Sequence, residues 1–289
     1  MIRVAYILES YDLTGAEKSV FHIAKYLDKT NFTPVMISLE SGGELEKEFN
    51  VYNIEHYVLN TGSIFSIKGL IKFYMLLKRL NIDIIHSNTT KSHIQSRLTG
   101  FFLNDSVIVS TYRNEPKWLQ SFGIKDVLRK LIDRYTARAL CDLLIYVSEG
   151  TSNYFKKHGF KNLKTEIIFN SIEINLIEKI NFSKQELIKK FKISDNQKII
   201  VAIGRLTEQK GYEFLFPAIN QISKEKRNVK LLIFGEDQSS GHYKKLLNKF
   251  KHVDALIIDS FPRILEVLAF SDVFVSSSLW EGLPRAHLE

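Results

Sequence analysis

Short apolar runs alternate with longer amphipathic stretches along the whole of this 289-residue chain, and that alternation admits few folds. The apolar runs read as strands buried on both faces, and the stretches with apolar residues three and four apart read as helices. Strands are expected at residues 3–8, 35–39, 56–59, 83–86, 107–111, 143–147 and 165–169, then at 198–203, 230–234, 255–259 and 273–276. Helices are expected at 16–29, 67–80, 92–102, 124–140, 151–158, 211–223, 242–250 and 264–270. Strand, helix, strand in repetition makes α/β structure, with parallel sheets covered by helices on both faces.

The strand pattern lapses between residues 172 and 196, where Ser183 and Glu186 have the spacing of a capping box on a charged connector. Two doubly wound, Rossmann-like domains facing a cleft are therefore expected. The first covers residues 1–175, a linker covers 176–196, and the second covers 197–289. The second domain shows four strands, the last without a covering helix, so it is expected to be incomplete at its C-terminal end.

Composition narrows the class further. With 45% hydrophobic and 25% charged residues the chain is ordinary for a globular protein, which excludes long disorder. No apolar run approaches the roughly 20 residues of a membrane span. The single cysteine, Cys141, excludes an internal disulfide and reads as a small core residue. Glu9 interrupts the N-terminal apolar run too soon for a signal peptide, so a cytoplasmic location is expected. The formal charge of +8 is spread evenly over both halves. Such an excess suits anionic small molecules, an acidic membrane surface or nucleic acid.

Two segments carry chemistry. The first follows the strand at 273–276 and runs Ser278-Leu279-Trp280-Glu281-Gly282-Leu283-Pro284-Arg285-Ala286-His287-Leu288-Glu289. It lies at a carboxyl strand end, where open α/β sheets bind ligands. Gly282 permits close backbone approach, Pro284 suits a first helical turn, and the free amides of that turn suit an anion. A plain strand–helix turn with two solvated glutamates is the alternative. The second segment, Gly204-Arg205-Leu206-Thr207-Glu208-Gln209-Lys210-Gly211, also opens at a strand end. There Arg205, as a bidentate fork, and Lys210, as a point charge, have the spacing to meet on a diphosphate. Two surface cations are the alternative.

Together these segments resemble the nucleotide-sugar half of the retaining family 4 glycosyltransferases of GT-B architecture. That family carries Gly-Arg-Leu followed by Lys-Gly, and then Glu-x7-Glu, in this order. Gly15-Ala16-Glu17 looks like its small-residue loop opening the first helix. The segment from Asp83 to Asn88 looks like its strand leading toward the cleft, and the segment from Ile168 to Ile172 like its first-domain ending. The resemblance implies that Glu281 is catalytic near the sugar and that Arg205, Lys210, Gly282 and Leu283 bind the donor diphosphate. It further implies that Glu289 binds the donor ribose, while Gly15, Ala16, His86, Tyr112 and Arg113 stand on the acceptor side. Glu17, in a first helical turn, is explained by the helix dipole alone.

The chain departs from the family at several positions. Many relatives have a histidine in the loop after the strand at 107–111, where this chain has Tyr112 and Arg113. Ser171 stands for the usual Gly, Glu173 for Asp, and Glu236-Asp237 for the second glycine of a Gly-x-Gly loop. Apart from His86 at a strand end, the histidines are scattered and read as ordinary surface or core imidazoles. No Asp-x-Asp stands beside a strand, so neither a metal nor another cofactor is expected. With no Gly-x-Gly-x-x-Gly, a dinucleotide dehydrogenase is disfavoured.

The resulting expectation is a hexosyltransferase that takes a nucleotide sugar as donor and a glycan or lipid-linked molecule as acceptor, in surface polysaccharide or glycolipid synthesis. A non-catalytic nucleotide-sugar-binding subunit, an inactive fragment and an epimerase of the same fold remain alternatives, whereas unclustered charge disfavours nucleic acid. Two basic segments with aromatic residues suggest peripheral contact with an anionic membrane. One runs from Ile64 to Arg79, with Lys68 and Lys72, and the other from Lys117 and Trp118 to Arg134. Half-buried helices with solvated faces are the alternative.

Overall fold

The computed structural model describes residues 1–103, 105–116, 119–174, 183–194, 196–225, 228–259 and 261–289. By contacts it divides into two compact units. Unit 1 comprises Met1–Ser171 with Gly282–Pro284, and unit 2 comprises Ile172–Glu281 with Arg285–Glu289.

Unit 1 contains the strands β1 (Ile2–Leu8), β2 (Phe32–Ser38), β3 (Glu55–Val58), β4 (Ile84–Ser87), β5 (Val107–Tyr112), β6 (Leu143–Tyr146) and β7 (Thr165–Ile167). They form one parallel sheet in the order β3-β2-β1-β4-β5-β6-β7. The intervening helices are α1 (Gly15–Tyr26), α2 (Leu45–Val51), α3 (Ile67–Arg79), α4 (Thr90–Gly100), α5 (Ile124–Leu140) and α6 (Glu149–Lys157).

The continuous apolar runs follow from burial on both faces, because successive strand residues point to opposite sides. Val4, Tyr6 and Leu8 pack with Val20, Phe21 and Ala24 of α1 and with Leu45 and Phe49 of α2. Ala5 and Ile7 pack on the other face with Phe73, Leu76 and Leu77 of α3.

Helix α4 departs from an amphipathic pattern, since residues 91–97 are all buried. Its Arg97 is fully buried and pairs with Asp133 of α5 at 2.7 Å, neither side chain being exposed to solvent. Arg97 also donates to the hydroxyls of Ser110 and Tyr112, so the charge is held by hydrogen bonds on several sides.

Unit 2 contains α7 (Lys184–Phe191), β8 (Lys198–Ile203), α8 (Tyr212–Lys224), β9 (Val229–Phe234), α9 (His242–Leu247), β10 (Ala255–Ile258), α10 (Ile264–Phe270), β11 (Val273–Phe274) and α11 (Arg285–Leu288). Its parallel sheet runs β10-β9-β8-β11. Ile200 and Ala202 pack against α8, while Ile199 and Val201 face α7 and α10.

The contact boundary at Ser171 and Ile172 lies four residues before the expected domain end. Part of the expected linker, residues 176–182 and 195, lies outside the described residues. The remainder is no free connector, because α7 sends Leu187 and Phe191 into the core of unit 2. The expected capping box is not formed there. The Ser183 side chain makes no cap hydrogen bond, and Glu186 pairs with Arg263 at 3.3 Å. A capping box stands instead at α4, between Thr89 and Ser92.

Candidate active site

Both sheets contain the same reversal of strand order. In unit 1 the chain moves outward from β1 through β2 and β3, then returns to place β4 on the other side of β1. In unit 2 the strands β8, β9, β10 and β11 repeat that path. A reversal leaves a crevice at the carboxyl ends of the two central strands, the ligand position of doubly wound sheets.

In unit 2 this end brings together the two segments singled out in the sequence. Leu279 donates its backbone N–H to the Gln209 carbonyl at 2.8 Å, and the Ser277 hydroxyl donates to the Lys210 carbonyl at 2.7 Å. The Gln209 amide donates to the Trp280 carbonyl at 3.0 Å and to the Glu281 carboxylate at 3.3 Å. Lys210 Nζ meets Glu281 Oε1 at 2.5 Å, and both side chains are mostly sheltered from water.

Glycines make the approach possible. Gly204 has φ of 152°, a conformation L side chains rarely adopt, and a Cβ there would stand 2.6 Å from Lys210 Cε. The Lys210 side chain therefore lies over Gly204. A Cβ on Gly235, at the end of β9, would collide with the Gly204 carbonyl.

Arg205 behaves differently from Lys210. It is exposed, and its guanidinium reaches Gln238 in the loop after β9 at 3.4 Å, so it borders this end without joining the Lys210–Glu281 pair. Glu289 sits in the C-terminal turn, paired with Arg285 at 3.3 Å. The segment Gly282–Pro284 groups with unit 1. There the Gly282 carbonyl accepts from Ser148 at 3.0 Å and the Leu283 carbonyl accepts from the Asn170 amide at 2.7 Å.

At the corresponding end of unit 1, Arg113 donates from Nε and Nη2 to Asn88 Oδ1 at 3.1 and 2.9 Å, and from Nη1 to Asn170 Oδ1 at 2.8 Å. Glu17, in the first turn of α1, is 6% exposed and accepts from the Thr14 hydroxyl. Burial pushes its carboxyl up to about 7, Glu9 and Asp12 add to the rise, and Arg113 opposes it. His86 bonds to Thr111 at 2.7 Å and stacks at a tilt on Tyr6. Burial, with Arg113 adding to it, drives the imidazole down to about 3, so it is neutral. Gly15 opens α1, where an added Cβ would meet no atom within 4 Å, and the adjacent Ala16 is half-buried.

Tyr112, expected on the acceptor side, turns the other way. Its ring is buried against Phe155 and Phe160, and its hydroxyl bonds to Arg97 and Asp133. Alternation along β5 explains this, since Thr111 takes the face toward His86 and Tyr112 the opposite one. Sequence reading passed over three residues that build these ends: Gln209, Asn88 and Asn170. Their signal was position, each next to a strand end or inside a segment already noted. Among the described residues no group of three His, Cys, Asp or Glu side chains is placed to hold a metal ion.

Comparisons with known proteins agree on one family. Residues 13–176 match the model of Glycosyltransferase Family 4, and residues 183–289 match that of Glycosyl transferases group 1. An uncharacterized glycosyltransferase of Methanocaldococcus jannaschii is 29% identical over 190 residues, covering 64% of this chain and 46% of its own length. The chain thus spans under half of that relative. A UDP-Gal:alpha-D-GlcNAc-diphosphoundecaprenol alpha-1,3-galactosyltransferase of Escherichia coli is 24% identical over 311 residues, covering all of this chain and 76% of its own. The crystal structure of HepE from Anabaena with UDP and glucose superposes with a TM-score of 0.81 at 18% identity, over 99% of this chain and 77% of that one. At that identity it shows the shared GT-B fold of two Rossmann-like domains.

Proposed function

The chain belongs to Glycosyltransferase Family 4, and from that premise we propose that it moves a hexose from a nucleoside diphosphate sugar to a glycan or lipid-linked acceptor, with retention at the anomeric carbon. The observation that carries this reading is the Lys210–Glu281 pair at the strand reversal of unit 2.

The slow step is cleavage of the anomeric C–O bond, which builds negative charge on the departing diphosphate. Lys210, lying over Gly204 at the end of β8, is the group that meets this charge, with Arg205 bordering the same strand end. Removing one such preorganised donor costs about 2.7–4 kcal/mol of transition-state stabilisation. Donor arrival would replace Glu281 on the ammonium. The freed carboxylate then orients the sugar and offsets its oxocarbenium charge, while Glu289 takes the ribose hydroxyls. The diphosphate can itself accept the acceptor's proton, so neither a covalent nucleophile nor a metal ion is required. The α-1,3 linkage in the Escherichia coli relative's name is what retention yields from an α-linked nucleotide sugar. On the acceptor side Gly15, Ala16, His86 and Arg113 form the edge, with His86 as a neutral hydrogen-bonding group.

The lipid-linked acceptor of that relative favours work at a membrane, at the inner face of the plasma membrane. Among the described residues no helix is long and apolar enough to cross one. Phe65, Ile67, Ile71 and Met75 are exposed on and before α3, beside Lys68 and Lys72, as are Phe122, Ile124 and Leu128 at the start of α5. These segments would rest on anionic headgroups. Lys117 and Trp118 of the second segment lie outside the described residues.

The test is sugar transfer to an acceptor mixture from UDP-, GDP- and ADP-sugars, followed by mass spectrometry. Transfer lost in Lys210→Ala and Arg205→Ala, with the folding transition kept, supports the reading. Normal transfer by both variants sinks the diphosphate assignment.

A further inference from the structure

The guanidinium of Arg113 is a sheltered cation that the fold has fixed in place through neutral hydrogen-bond partners. Three of its five N–H groups are donated, all to neutral amide oxygens: two to Asn88 and one to Asn170. Among the described residues no hydrogen bond joins it to a carboxylate. Taking a guanidinium out of water is costly unless a negative partner compensates. Arg97 shows how this chain settles that cost elsewhere, by placing Asp133 at 2.7 Å. At Arg113 the compensating charge is missing from the hydrogen-bond set, and the side chain stands at the strand-reversal end of unit 1, beside the opening turn of α1.

We propose that Arg113 is an oxyanion-binding residue that recognises a phosphate group carried by the acceptor. This rests on the reading that unit 1 receives the acceptor, and it adds the acceptor's chemical class. The two N–H groups left over by Asn88 and Asn170 are donors held at a fixed angle, which suits two oxygens of one phosphate. The two asparagines act as positioning residues: they remove the side chain's freedom and leave its charge whole.

The nearby acids do not remove the charge. The acid that faces Arg113 is Glu17, which makes no hydrogen bond to it among the described residues. Glu17 is held up to about 7 by burial, and a second negative charge beside it would drive it further toward the neutral acid. Burial also lowers the Arg113 guanidinium to about 10, although Glu17 and Tyr6 facing it work in the opposite direction.

The test follows the Nε–H resonance of Arg113 in the whole 15N-labelled chain, identified by its loss in Arg113→Lys. The probe is α-D-glucose 1-phosphate, with methyl α-D-glucoside as the neutral control, in the wild type and in Lys210→Ala. The proposal expects a saturable shift with the phosphate in both proteins and none with the glucoside. It also expects Asn88→Asp to weaken phosphate binding at least tenfold. That change is nearly isosteric and keeps Arg113, yet puts a carboxylate against it, and a thermal melt checks its folding. An unmoved resonance, or unchanged affinity in Asn88→Asp, overturns the proposal. So does a response given only by UDP and abolished by Lys210→Ala, which would assign the anion to the donor. Failure of UDP to bind any form would count against the donor reading alone.

Discussion

Lys210 Nζ lies 2.5 Å from Glu281 Oε1 although 71 residues separate them in the chain. The contact exists because β8 and β11 are neighbours in the sheet, which sets the loops following them side by side. The strand reversal of unit 2 thus carries an ion pair in place of two solvated charges, and on the proposed reading a donor diphosphate would enter there by exchange with Glu281. Lys210→Ala is expected to lower kcat by about 10²–10³, the usual loss when one preorganised charge donor is removed. Steady-state kinetics with the best donor checks it.

Gly204→Ala should damage the same site through the backbone. The φ of 152° and the approach of Lys210 leave no room for a methyl group, so the loop must shift and the lysine must leave its position. A stability loss of about 1–3 kcal/mol is expected from the strained backbone, together with weakened nucleotide binding. Chemical denaturation and a UDP titration read the two effects separately.

The buried Arg97–Asp133 pair predicts a large and purely structural effect. Arg97→Met leaves Asp133 in the core without its counter-charge and should cost about 3–5 kcal/mol. The double change Arg97→Met with Asp133→Leu should recover much of that loss. Urea unfolding of the three proteins checks both statements.

Glu17 and His86 should give stability opposite slopes with pH. The folded Glu17 carboxyl lies at about 7 against an ordinary 4.5, so the fold binds that proton more tightly than the unfolded chain does. Its contribution is complete below about 4.5 and is lost as pH rises toward 7. At about 1.4 kcal/mol per pH unit this amounts to roughly 3 kcal/mol. The folded His86 lies at about 3 against 6.5, so its contribution is present above 6.5 and falls as pH drops. Glu17→Gln should therefore raise stability above pH 7 and leave an acid-side decline due partly to His86. Thermal melts from pH 4 to pH 9 measure this.

The strands were legible because burial on both faces leaves uninterrupted apolar runs, and each expected strand has its counterpart within a few residues. Helix α2 was not, since Leu45 and Phe49 are its only buried positions and Glu46, Lys47 and Glu48 fill the turn between them. Tyr112 was placed on the wrong side because a strand-end position says nothing of which face an alternate residue takes. Spacing located Lys210 and Glu281 as candidates, but their pairing depends on strand order, which no local pattern encodes. The same limit separated Arg205 from Lys210: five positions apart around one loop, they reach Gln238 and Glu281 respectively.

The most direct measurement is the affinity of the wild type and of Lys210→Ala for UDP, GDP and ADP by isothermal titration. If Lys210 holds the donor diphosphate, one nucleotide binds the wild type tightly and its Kd rises at least tenfold in the variant. The same Kd in both proteins would contradict the assignment.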